Sequence, residues 1–169
     1  RRVRLVECCP ANVSGLIAAS TAELGEQDGW RLGRREGVRI ERQVTEEPQP
    51  PTPLATASEL TVLDLGTSTP PDWRTLLSES IVLVTRASVP GLRRLEALLQ
   101  QHPAAVAAVV GPQVKRWPRV LTRTVGVRTL ALIDEGRLID VPFDRALAVT
   151  GLTPDPLSVP LVKAGGRIL

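Results

Sequence analysis

A carboxylate at the end of an apolar run is the first residue in this chain with a chemical use to consider. Asp64 closes the run Leu60, Thr61, Val62, Leu63 and is followed by Leu65 and Gly66. In open α/β sheets ligands collect beyond the carboxyl ends of the strands, so Asp64 is a candidate to position magnesium or an attacking water. Ser14 is the second candidate. It lies just past a polar stretch at 7–12, where a phosphate-binding loop places its magnesium-binding hydroxyl. Such a loop also needs glycines, so that backbone N–H groups can wrap phosphate, and a lysine for the β/γ-phosphates. Here Val13 stands at the lysine position, and Cys9, Pro10 and Asn12 stand where glycines belong. Pro10 also removes one N–H donor. An ordinary strand-to-helix turn therefore outweighs a nucleotide site. For Asp64 the plain alternative is a turn cap or an ion pair with an arginine such as Arg86.

The remaining reactive side chains lack partners in the sequence. Cys8 and Cys9 are adjacent, with no His or Cys at metal-ligand spacing, and read as packing residues. Thr67, Ser68 and Thr69 have no base in view and read as turn residues. His102, the only histidine, precedes Pro103 at an expected helix end with no nucleophile implied. No catalytic residue and no metal site are expected. Lys115, Arg116, Arg119 and Arg123 form a candidate basic patch for nucleic acid or an acidic partner, although a solvated helix face explains them equally well.

Composition narrows the classes. The chain has 169 residues, enough for one well-cored domain, with 43% hydrophobic residues and a net charge of +3. No stretch reaches the roughly 18 apolar residues of a membrane span. Three Trp, one Phe and no Tyr argue against aromatic stacking platforms for single-stranded nucleic acid. Two adjacent cysteines cannot form a disulfide framework, which fits a reduced, cytoplasmic chain. The first residue is Arg1 and the chain holds no Met, so the natural N-terminus is expected upstream, with room for a preceding domain.

The elements that would position these residues follow from patterning. Strands are expected at 3–6, at 38–44 as a sheet edge, at 60–65, at 81–85 as a central strand, at 105–110, at 129–133 and at 138–141. Helices are expected at 13–24, with Asn12 as N-cap and Gly25 after the end, near 73–78, and from Ser88 to the Pro103 stop. Further helices are expected at 114–124, 144–150 and 159–169. The segment 28–37 reads as irregular, and 45–58, with Pro48, Pro50, Pro51 and Pro53, as a connector. Alternating strands and helices predict an α/β fold with a doubly wound, mostly parallel, three-layer sheet, in a single domain spanning 1–169.

The order of these features resembles the ParA/MinD family of deviant-Walker P-loop ATPases. The likeness rests on the strand-turn-helix opening, Thr61 to Gly66, Val82 to Arg86, Ile139 to Asp144, Ala148, Gly151 and Pro160 to Gly165, and covers nearly the whole chain. It is greatest for divergent actinobacterial members, including septum-site-determining-like and CpaE/TadZ-like proteins. The resemblance implies a Rossmann-like P-loop fold, ATP-sandwiched dimers and work in positioning DNA, septa or secretion machinery. It matches Ser14 to the Mg²⁺ hydroxyl and Asp64 to the core-strand carboxylate. The opening departs from the family's Lys-Gly-Gly-x-Gly-Lys-[Ser/Thr]. The expectation is therefore a pseudo-ATPase without bound ATP or magnesium, acting as a scaffold through a protein partner or as a homodimer. An active nucleotide-dependent switch, a non-specific DNA-binding module on the basic patch, and a receiver domain with Asp64 as phosphoacceptor are the alternatives, in falling order.

Overall fold

The computed structural model describes residues 2–47, 59–67 and 80–168. The expected connector from Pro48 onward and the helix near 73–78 lie outside the described residues, as do Ser68 and Thr69. The strands are β1 (Arg2–Glu7), β2 (Ala22–Gln27), β3 (Trp30–Arg35), β4 (Val38–Gln43), β5 (Glu59–Asp64), β6 (Val82–Arg86), β7 (Val106–Val110) and β8 (Leu138–Val141). The helices are α1 (Val89–Gln101), α2 (Arg119–Thr122), α3 (Val127–Asp134), α4 (Arg145–Thr150) and α5 (Val159–Gly165). By their contacts the described residues divide into two compact units. One holds those up to 67 with Arg145–Asp155, and the other holds 80–144 with those from Pro156 on.

The first unit is built on a mixed sheet in the order β2-β3-β4-β1-β5. β1 runs parallel to β4 and β5, whereas β2, β3 and β4 pair antiparallel. The doubly wound, mostly parallel, three-layer sheet is therefore not what this chain forms. The reason lies in 22–43. Asp28-Gly29 and Glu36-Gly37 each make a two-residue turn in which both residues have positive φ, at 51° and 81° and at 47° and 85°. That is the backbone of a type I′ hairpin, whose twist suits antiparallel strands. The expected helix at 13–24 is absent for the same reason. Residues from 22 on enter the first hairpin, and Gly25, expected after a helix end, sits at a register shift inside β2. β4 is an interior strand rather than an edge, and its Glu41, Arg42 and Gln43 are all buried.

The two faces of this sheet bury different things. On one, Val6, Cys8 and Trp30 pack with Leu32, Leu63 and Leu65. Beside them Arg4 donates to Glu41 from Nε and Nη2, at 2.7 and 2.6 Å, and Arg39 pairs with the same carboxylate at 2.7 Å. Glu41 is 1% exposed, so its charge is tolerable only because it is paired and hydrogen-bonded. On the opposite face, register places Asp64, Glu7, Arg42 and Arg31 in one row across β5, β1, β4 and β3. The loop after β1 is tied down from this row.

The second unit holds a small parallel sheet in the order β6-β7-β8. Pairing Val82 with Val106 and Ala107 with Leu138 sets its registers. α1 begins where the sequence predicts, with the Gly91 amide donating to the Ser88 hydroxyl at 3.2 Å. Its Leu92, Leu95 and Leu99, spaced to share one face, pack on Ala107, Val109 and Leu132. Each such leucine contributes roughly 1.5–3 kcal/mol on burial. β6 lies at the edge of this sheet rather than at its centre. Residues 129–133, expected as a strand, are helical and belong to α3. The helix expected at 114–124 is broken by Trp117-Pro118 into a 3₁₀ turn, Val114–Arg116, and the short α2.

Candidate functional site

β1 ends at Glu7, and the chain then passes through Cys8, Cys9 and a 3₁₀ turn, Ala11–Val13. This is the stretch in which a phosphate cradle would form. Two donors of the cradle type are present, the Ser14 hydroxyl and the Gly15 amide, and both point at the Glu7 carboxylate. Ser14 Oγ donates to Glu7 Oε2, and Gly15 N–H donates to Glu7 Oε1 at 2.7 Å. Glu7 is buried, so these bonds replace the water that its carboxylate would otherwise bind. Farther along, Arg42 donates from one guanidinium nitrogen to the Ile17 carbonyl at 2.8 Å and from the other to Glu23 at 2.9 Å. Adjacent strands thus pin this loop with one acid and one base.

Asp64 stands beside Glu7 in register on the neighbouring strand, with its side chain exposed. Its Oδ1 accepts the Gly66 amide at 2.9 Å, so the carboxylate caps its own turn. Its backbone carbonyl accepts the Cys8 amide at 2.8 Å, which joins the two strand ends. Gly66 has φ 65°, a left-handed backbone that favours glycine, and a Cβ there would meet the Cys9 sulfur at 2.7 Å unless that side chain shifted. Burial foremost, with the neighbouring charges of Cys9 and Asp64 adding to it, pushes the Cys8 thiol up to about 12. Cys9 is raised as well, by burial first and then by Asp64 and Glu7. Both thiols are therefore protonated at neutral pH and are poor ligands and poor nucleophiles.

The electrostatic character of the site is acidic. Glu7 and Asp64 lie side by side, Val13 supplies no cation, and the Arg42 guanidinium is committed to Ile17 and Glu23. A phosphate would have to displace Glu7 from Ser14 and Gly15 and then sit beside Asp64. Among the described residues no group of three or more His, Cys, Asp or Glu is placed to hold a metal ion. The structure therefore brings Ser14 together with Glu7, and sets Asp64 on the next strand. Glu7, which accepts from both donors, is the residue that sequence reasoning passed over. The signal was available in its place at the last position of β1, immediately before the turn.

The other sequence candidates fall in the second unit. Lys115 and Arg116 end the 3₁₀ turn, Arg119 opens α2 and Arg123 follows it, and all four side chains are exposed. His102 caps the end of α1, its amide donating to the Leu98 carbonyl at 2.9 Å. No described helix is long and apolar enough to cross a membrane. Compared with protein-family models and with curated proteins, the chain matches none.

Proposed function

We propose that this chain is a non-catalytic protein-interaction domain, a pseudo-ATPase in the sense that the ParA/MinD resemblance implies, working as a scaffold or regulatory partner in the cytoplasm. The doubly wound sheet of that family is not part of the reading, because the first unit has hairpins where it would have a helix. One observation carries it. The Ser14 hydroxyl, which the resemblance matches to Mg²⁺, and the Gly15 amide, a donor that could face phosphate, both donate instead to Glu7, a buried carboxylate of the same chain. An internal anion at that point makes the nucleotide both redundant and repelled, because two like charges at hydrogen-bond distance oppose each other strongly in a part-buried site.

Isothermal titration of the whole chain with Mg-ATP tests this directly. The expected result is no heat of binding and no phosphate release. Micromolar binding accompanied by turnover would overturn the proposal in favour of an active nucleotide-dependent switch.

A further inference from the structure

The charge of this chain is divided unevenly between its two units. Among the described residues the second unit carries eleven Lys and Arg against five Asp and Glu, a formal net of +6. The first carries eight against eleven, a net of −3. Much of the positive excess sits on one segment. Val114, Trp117, Leu121 and Val125 turn inward onto the core of the second unit. The intervening residues Lys115, Arg116, Arg119, Val120 and Arg123 are consequently left on the solvent side.

Three observations make this side more than a solvated face. None of the four cations is in an ion pair among the described residues. Of the unit's five described acids three are engaged elsewhere: Glu96 holds the start of α3, Glu135 pairs with Arg137, and Asp140 accepts the Val114 amide. Val120, 60% exposed, stands between Arg119 and Arg123 in α2 and its C-cap, and Val127, 73% exposed, opens α3 four residues after Arg123, so the segment carries exposed apolar surface as well as charge.

We infer that the outer side of 114–127 is a docking surface for an acidic, amphipathic segment of a protein partner. Charge complementarity argues for the acid: an Arg-rich strip with no ion pair among the described residues binds carboxylates with planar, paired donors and speeds encounter with them. The two valines argue for a peptide over a nucleic acid. Contacts to a duplex run mainly to phosphate oxygens and leave exposed aliphatic groups unused, whereas an amphipathic peptide covers them. Single strands would need aromatic platforms, and the aromatic within 114–127, Trp117, is buried with its indole N–H donated to the Pro112 carbonyl at 2.9 Å.

The inference deepens the interaction-domain reading by naming the surface and the class of partner, and it is tested separately from nucleotide binding. The whole chain is titrated, with fluorescence anisotropy as readout, against a labelled peptide carrying Glu and Leu at helical spacing. An all-Glu peptide of equal length, a mixed-sequence DNA duplex and phosphatidylglycerol vesicles are the comparisons. The amphipathic peptide should bind most tightly, and the paired charge reversal R119E/R123E should weaken it by roughly tenfold or more. V120D should weaken the amphipathic peptide while leaving the all-Glu peptide unchanged or weaker by the added charge alone. R34E, at an exposed position of β3 in the other unit, should have no effect. Circular dichroism of each variant confirms that the fold is retained. Tighter binding to the duplex or the vesicles, self-association in sedimentation that R119E/R123E abolishes, or no peptide binding by the folded chain would each overturn the inference. If Mg-ATP binds and is turned over while the peptide result holds, the pseudo-ATPase reading fails alone.

Discussion

Glu7 and Asp64 are neighbours in register with opposite surroundings, and that contrast can be measured. Glu7 is buried and satisfies two donors, so Glu7→Ala leaves the Ser14 hydroxyl and Gly15 amide facing a void. Chemical denaturation should show a loss of about 1–3 kcal/mol, the cost of stranding buried polar groups. Asp64 is exposed and closes only its own turn, so Asp64→Ala should cost under about 1 kcal/mol. A larger loss at Asp64 than at Glu7 would contradict the assignment of Glu7 as the internal anion. The cysteines beside them offer a second check. With its pKa held near 12 by burial and adjacent negative charge, Cys8 should resist alkylation at neutral pH until the chain is unfolded. In linkage terms the folded state keeps this proton above the ordinary thiol pKa while the unfolded state loses it. Cys8 thus makes stability fall as pH rises from the usual thiol range towards about 12. Rapid labelling of Cys8 in the native protein would show that the strand end is open.

Between elements, the clearest coupling is Glu96 on α1, which caps α3. Its carboxylate accepts the Arg128 and Thr129 amides, both at 3.0 Å, and the Thr129 hydroxyl at 2.8 Å. Burial alone would raise this group, but the hydrogen bonds from Arg128 and Thr129 outweigh it and hold the pKa below the usual carboxylate range. A depressed folded pKa means that the stabilisation is complete above the unfolded pKa, about 4.3, and is lost as pH falls through the folded value. Glu96→Gln should therefore cost about 1 kcal/mol at pH 7, with the difference from the parent chain shrinking in acid, as thermal unfolding at both pH values would show. A difference that grew in acid would refute the cap. The same contact explains why α3 escaped the sequence reading. Thr129 to Ile133 is a short apolar run, which periodicity alone cannot assign, and its N-terminal anchor lies 33 residues earlier. By contrast α1 was legible from its leucine spacing, Ser88 cap and Pro103 stop, and β1, β7 and β8 as apolar runs bounded by turn residues. The first hairpin was legible in principle through Asp28-Gly29 and was obscured by helix-like composition at 13–24. Ser14 and Asp64 were visible as residue types, but their partners were not, since these depend on a loop folding back onto a particular strand row.

At the scale of the whole chain, the course of the backbone has a mechanical consequence. After supplying the small sheet and α1 to α3 of the second unit, the chain returns to the first for Arg145–Asp155 and then leaves it again for α5. The returning segment is fastened by Arg35 of β3, whose guanidinium donates to the Thr153 carbonyl at 2.7 Å and the Asp155 carbonyl at 2.6 Å. Thr153 and Asp155 stiffen the receiving turn through a side-chain hydrogen bond of 3.0 Å. Charge-assisted bonds to carbonyls are among the stronger single contacts, yet here they are partly open to water, so Arg35→Ala should lower global stability by no more than about 1 kcal/mol. Its local effect should be larger. Native-state hydrogen exchange is expected to lose protection selectively across α4, while β1, β4 and α1 exchange as before. Arg35→Lys, which keeps the charge but cannot span two carbonyls with a fixed fork, should behave like the alanine variant. If Lys restores full protection, the fastening is a matter of charge and not of the paired geometry. Unchanged exchange in both variants would mean that α4 is held by its own packing.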